Sequence, residues 1–210
     1  WKVRVEKVVN IPLTYGGRAE FMIQNVLAAT LACFVHGVSL EDLRVGLTTF
    51  NAGTAQTPGR LNFAEVGDVT VLMDYAHNPA GLRGLADFVL KLPNKYRTVV
   101  LNGTGDRRDD DIREFGKIAA DTFDRIVIRT GNYLRGREPE DLHRLLQEGI
   151  AQSSNSPTVR IIPDGRTAIH HAIKHGRKGE LVVTLADLVP KDIAYVQEYR
   201  DIEIAKRAAE

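Results

Sequence analysis

One cysteine, Cys33, is all that these 210 residues contain, and it lies inside an apolar helical pattern. That excludes a disulfide framework and a metal site built on cysteines. A charge excess of one sign is also lacking: 28 Lys plus Arg against 27 Asp plus Glu leave a formal net charge of +1. Bulk charge therefore gives no argument for nucleic acid or for an anionic membrane surface, and any basic function must be local. No apolar run approaches the roughly 20 residues that span a bilayer, and the N-terminus has no signal-peptide layout. The cytoplasm is the expected compartment. Neither a Gly-Lys-Thr or Gly-Lys-Ser phosphate loop nor a complete dinucleotide fingerprint occurs, and there is no internal repeat or low-complexity segment. The chain opens on Trp1-Lys2-Val3 without methionine, which leads us to expect a piece of a longer protein.

What is present is enough for a core, at 43% hydrophobic residues. The most informative stretch runs from Val69 to Ala80. Val69, Val71 and Met73 alternate with Thr70 and Leu72 as in a strand, which stops at Asp74-Tyr75-Ala76-His77. Asn78-Pro79 then reads as an N-cap followed by proline at the first helical position, opening a helix to about Lys91. Asp74, His77 and Asn78 thus stand at the carboxyl end of a strand beside a helix N-terminus, where open α/β sheets bind ligands. Taken singly, each also reads as local structure: Asn78 as a cap, Asp74 as a turn former, His77 as a rim residue.

Before this stretch, Val3 to Leu13 suggests one or two short strands bent at Pro12. Two helices follow, Phe21 to about Val35 and Ser39 to about Phe50, with Leu40, Leu43, Val45 and Leu47 as buried candidates of the second. Such a segment is too small to close a core and is expected to be a remnant of another domain. Asn51 to Gly59 has a linker composition. Beyond it, Leu61 to Val66 and Val69 to Asp74 make a hairpin around Gly67-Asp68. Strands at 97–101, 125–129, 158–162 and 181–185 then alternate with helices at 109–122, 139–151, 166–174 and from about Lys191. The expected fold class is α/β: a Rossmann-like, mostly parallel sheet with an antiparallel edge hairpin, preceded by the small helical remnant.

Further polar clusters fall at strand ends. Asn102-Gly103-Thr104-Gly105-Asp106-Arg107-Arg108 is a glycine loop whose amides can cradle an anion. Asp109, Asp110 and Asp111 follow in the first turn of a helix and read as caps favoured by its dipole. Thr130 to Glu138 carries Arg135 and Arg137 about Gly136, a pair suited to a carboxylate or phosphate, or else a solvated loop. His171 and His175 share a helix face at the spacing of a zinc pair. The zincin glutamate is missing and no third ligand is apparent, so His175-Gly176 reads as a helix end, and no metal site is expected.

Pro58-Gly59-Arg60-Leu61, followed by Asp74-Tyr75-Ala76-His77-Asn78-Pro79, resembles the carboxyl-terminal domain of the Mur ligase superfamily, and Asn25 to Ala29 resembles the end of that superfamily's central ATPase domain. Gly105-Asp106-Arg107-Arg108-Asp109 and Leu134-Arg135-Gly136-Arg137 are more similar to the cyanophycin-forming branch than to cell-wall ligases. The resemblance implies that residues 1–53 are the tail of the central domain and residues 54–210 the carboxyl-terminal domain. It implies an ATP-dependent amide ligase in which a carboxylate becomes an acyl phosphate and an amine displaces phosphate. The substrates would be arginine and the aspartate side chains of a poly-aspartate (cyanophycin) chain. Arg60 would contact ATP phosphate, Asp74 the ribose region, and His77 and Asn78 the adjoining nucleotide site, while Asp106, Arg107 and Arg135 would hold the incoming amino acid. Mg²⁺ would be bound mainly by residues outside this chain, as would the phosphate loop and an ATP-grasp half. The fragment is expected to be inactive alone, and the full enzyme to be a homo-oligomer that uses neither nucleic acid nor membrane. Two alternatives stay open: another Mur-type ligase, acting on muramyl peptides or folate, and a non-catalytic α/β binding module.

Overall fold

The structure, a computed structural model, describes residues 3–209; Trp1 and Lys2, with which the expected N-terminal segment begins, and Glu210 lie outside the described residues. Two 3-10 turns, Val8–Asn10 and Pro12–Thr14, replace the short strands expected between Val3 and Leu13. Pro12 has no N–H for a ladder, and the chain satisfies itself locally instead. The Thr14 hydroxyl reaches back to the Val8 and Ile11 carbonyls at 2.7 and 2.8 Å.

Helix α1 (Glu20–Val35) and helix α2 (Leu40–Thr49) follow, the latter capped by Ser39, whose hydroxyl accepts the Asp42 N–H. Of the four buried candidates in α2 only Leu43 is buried; Leu40 and Leu47 are half-buried and Val45 is exposed. Leu27, Leu31 and Phe34 of α1 are exposed too, and Cys33 with them. With no sheet to lie on, the two helices shelter only a narrow seam and leave an apolar groove of about 460 Å³ between them.

From residue 62 the alternation is as expected: β1 (Asn62–Val66), β2 (Val69–Asp74), α3 (Pro79–Leu90), β3 (Arg97–Leu101), α4 (Asp109–Thr122), β4 (Arg125–Ile128), α5 (Pro139–Ile150), β5 (Thr158–Ile161), α6 (Gly165–Lys174), β6 (Leu181–Leu185) and α7 (Val189–Ala209). The six strands lie in the order β1-β2-β6-β3-β4-β5, with β1 antiparallel to β2 and every other pair parallel. From β2 the chain crosses by α3 to β3, steps outward through β4 and β5, and returns by α6 to insert β6 between β2 and β3. Helices α3, α4 and α5 therefore cover one face and α6 and α7 the other, each over its own apolar core. Burial on both faces is why β6 reads as the unbroken run Leu-Val-Val-Thr-Leu.

Tyr15, Ala19 and Phe21 pack against the α3 side of this core. The Tyr15 hydroxyl donates to the Leu61 carbonyl at 2.7 Å, and its ring leans on Phe63 and Phe88. Among the described residues no helix is long and apolar enough to cross a membrane.

Candidate functional site

Insertion of β6 between β2 and β3 sends α3 and α6 to opposite faces. The loops at the carboxyl ends of these strands diverge there, leaving the crevice that such a switch in strand order creates. The Asp74 carboxylate sits beneath it, only 6% exposed. One oxygen accepts the Leu61 N–H at 3.1 Å and the other the Ala76 N–H at 2.9 Å. Burial pushes its carboxyl above the ordinary value, while these amides and the nearby Arg60 guanidinium oppose that rise. Burial and the Asp74 charge together push the Tyr15 phenol up to about 12. Asp74 thus brackets two loops: Gly59 to Leu61, where Leu61 is held at a left-handed φ of 46°, and Tyr75 to His77. Arg60, exposed, lies over the Tyr75 ring at 4.9 Å.

His77 is exposed, with Nδ1 3.0 Å from the Tyr75 carbonyl. Asn78 caps α3 as expected, its Oδ1 accepting the Gly81 N–H at 2.8 Å. His77 and Asn78 share a crevice of about 10 Å³ with Asn102, Thr104 and Arg107, and His77 also lines a neighbouring one of about 40 Å³ with Tyr75, Tyr133 and Asp187. The Arg107 Nε is buried without a hydrogen-bond partner among the described residues, and the Asp106 carboxylate is 3.8 Å from it. A guanidinium lining a crevice suits an anionic ligand. These crevices have room for one or a few waters, so the chain presents a rim and not a complete nucleotide pocket.

The structure therefore brings His77, Asn78 and Arg107 together, sets Arg60 and Asp74 against the same loop, and leaves Arg135 outside. Arg135 stands at an exposed loop tip with φ of 50°, its guanidinium 5.5 Å from the Tyr133 ring. The glycine loop has another use than cradling an anion. The Gly105 N–H donates to the Tyr133 carbonyl at 3.0 Å, and a Cβ on Gly105 would stand 1.8 Å from the Leu134 carbonyl oxygen. Arg137 sews the same two loops together, donating to the carbonyls of Gly105 and Arg107 and to the Asp109 carboxylate at 3.0, 2.9 and 2.7 Å. Asp109, Asp110 and Asp111 are accordingly ion-pair partners of Arg137, Arg113 and Arg108, not hydrogen-bonding caps, and the N-cap position belongs to Arg108. The Arg137 and Arg108 guanidinium groups hold the Asp109 and Asp111 carboxyls below their usual range.

Sequence reasoning missed Asp187 and the pair that fixes it. Arg129, just past the end of β4, makes a bidentate bond to Asp192 at 2.8 and 2.7 Å, with both side chains 3% exposed. Asp192 accepts the Asp187 N–H at 2.8 Å, and Asp187 accepts the Asn132 backbone N–H and its side-chain amide N–H, each at 2.6 Å. The only local signal was an acid just past a strand end; the arginine is 63 residues from its partner.

Residues 59–188 match the family model for the Mur ligase, glutamate ligase domain. The chain is 42% identical over 200 residues to the cyanophycin synthetase of Crocosphaera subtropica, covering 95% of this chain and 23% of that one. It is 30% identical over 165 residues to the UDP-N-acetylmuramoyl-L-alanyl-D-glutamate–2,6-diaminopimelate ligase of Geobacillus kaustophilus, covering 78% and 32%. A crystal structure of MurF ligase from Thermotoga maritima in complex with ADP superposes with a TM-score of 0.58 at 22% identity, covering 88% of this chain and 39% of that one. The chain thus spans about a quarter of the length of the cyanophycin synthetase that it resembles.

Proposed function

This chain belongs to the Mur ligase, glutamate ligase domain family, and from that premise we propose that it forms one wall of the active site of an ATP-dependent amide ligase that adds arginine to aspartate side chains of cyanophycin. Residues 54–210 would be the carboxyl-terminal domain, and residues 1–53 the end of the central ATPase domain. The exposed apolar face of α1 and α2 supports that division, because it is the kind of surface that packs against more protein. Higher identity over more of the chain favours the cyanophycin-forming branch over the diaminopimelate ligases.

The observation that carries the proposal is the gathering of His77, Asn78 and Arg107 around one crevice where the strand order reverses. Arg60, on the same loop system, would be carried onto a nucleotide phosphate when the domains close. His77 and Asn78 would face the adjoining nucleotide. Both Asp74 oxygens already accept backbone amides, so we assign it the part of holding Arg60 and His77 in place beneath the ribose region. Asp106, Arg107 and Arg135 would meet the incoming amino acid, with Arg137 fixing the loops that carry them. ATP, when bound, supplies the phosphoryl group that activates the acceptor carboxylate. Mg²⁺ would be held mainly by ligands elsewhere in the protein.

The test is amino-acid-dependent ATP turnover by the full-length protein, supplied in turn with arginine, diaminopimelate and glutamate and the matching acceptors. Arginine-dependent turnover that falls in Arg60→Ala and Arg107→Ala supports the proposal. Turnover with another amino acid would move the protein to a different branch. Failure to bind ATP would leave a non-catalytic module.

A further inference from the structure

A second polar cleft, of about 190 Å³, opens at the opposite end of the sheet. Its wall begins with Arg125 and Thr158, the first residues of β4 and β5, and is completed by Arg160 and by His171 and His175 of the α6 face. Strand alternation explains the cleft. Val159 packs into the α4 and α5 core, so Thr158 and Arg160 point to the other face, where α6 lies over β3, β4 and β6 and leaves the edge strand β5 open.

The titratable side chains that line the cleft are all cationic or able to become so. His171 is partly buried, and its pKa is lowered first by burial and then by His175, Arg160, Arg125 and Lys174, all cationic or able to become so. Of the acids nearby, the buried Glu180 is an ion-pair partner of Arg125 and offsets part of its charge. Glu180 accepts the Thr98 hydroxyl and the Arg177 N–H and lies 3.7 Å from Arg125, while Asp124 accepts the Arg97 N–H. The carbonyl end of α6, which would repel an anion, is covered: Arg125 donates to the carbonyls of His175 and Ala172. Among the described residues, neither the Arg160 guanidinium nor the His171 ring makes a hydrogen bond or ion pair. The two imidazoles are in contact, with centroids 4.1 Å apart, and His175 Nδ1 is 2.9 Å from the His171 carbonyl. A divalent metal on this histidine pair would enter the field of Arg125, Arg160 and Lys174, whereas an anion would relieve it.

We propose that this cleft is a binding site for an oxyanion, phosphate or a dicarboxylate, held by Arg160 and the His171 ring over the Arg125 guanidinium. It is separate from the crevice at the carboxyl ends of the strands, so it stands or falls independently of the nucleotide reading. Phosphate and succinate are titrated separately into the full chain at pH 6.5, with sodium chloride holding ionic strength constant, while NMR follows the His171 and His175 ring protons. Saturable shifts at millimolar concentration are expected, and the ring pKa of His171 should rise in the bound state. Saturation by phosphate alone identifies a phosphate site, and by succinate alone a dicarboxylate site. Arg160→Ala should weaken binding about tenfold or more and Arg160→Lys less; Arg160 is exposed, so thermal melting should be unchanged. Linear shifts like those given by chloride, shifts that survive Arg160→Ala, or tighter binding of zinc than of either anion would overturn the proposal.

Discussion

Replacing Asp74 with alanine removes two acceptor oxygens from the centre of the site and strands the N–H groups of Leu61 and Ala76, residues that are 0% and 8% exposed. A buried N–H left unpaired costs about 1–3 kcal/mol, so two would cost about 2–6 kcal/mol. The loss should lie at the lower end, because the ionised wild-type carboxylate already bears a desolvation cost that raises its pKa. About 2–3 kcal/mol is expected at pH 7, which for a chain of this size lowers Tm by about 4–12 °C. A raised carboxylate pKa means that the folded state holds the proton more tightly than the unfolded state. The stability it contributes is therefore full below the ordinary value of 3.8 and declines as pH rises through the folded-state pKa. The gap between wild type and Asp74→Ala should accordingly be wider at pH 4 than at pH 7. Urea unfolding of both proteins across that range measures it. A gap below about 0.5 kcal/mol at pH 7, or one that widens with rising pH, would refute the bracket described for Asp74.

Gly105→Ala should destabilise by roughly 3 kcal/mol or more, because a methyl 1.8 Å from the Leu134 carbonyl oxygen forces two backbone loops apart; equilibrium unfolding would detect it. Asp192→Ala, which leaves the Arg129 guanidinium buried and unpaired, should cost about 3–5 kcal/mol by the same measurement. In the full-length protein Arg60→Ala should cut ATP-dependent amide formation about a hundredfold while Tm changes little, since the side chain is exposed; normal turnover with a lowered Tm would make Arg60 structural.

The elements, and the position of Asp74, His77 and Asn78 between a strand end and a helix start, were legible in the chain because their signals are local. The β2 strand and the start of α3 came out at the expected residues, since Asn78 caps its own helix three residues on and Pro79 fixes the first turn. The hairpin of β1 and β2 likewise follows from Gly67, whose φ of 63° the turn requires. Local pattern failed between Val3 and Leu13, where valines suggested strands but Pro12 and the Thr14 hydroxyl closed turns. It failed also in α1 and α2, where helical spacing was right but most of the apolar side chains stayed exposed. Family resemblance supplied roles for Arg60, Arg107 and Arg135, which composition and spacing left between site and solvated loop.

Only the tertiary structure decided the strand order, with β6 entering between β2 and β3, and hence which loops meet. It alone paired Arg137 with Asp109 across 28 residues and Arg129 with Asp192 across 63. It turned Gly105 from an anion cradle into a point of loop contact, and it put Arg160 beside His171. The sequence determines caps, turns and periodicity because those bonds close within a few residues. Pairing across dozens of residues depends on which surfaces the crossovers bring together, and a periodicity in one segment carries no information about the position of another.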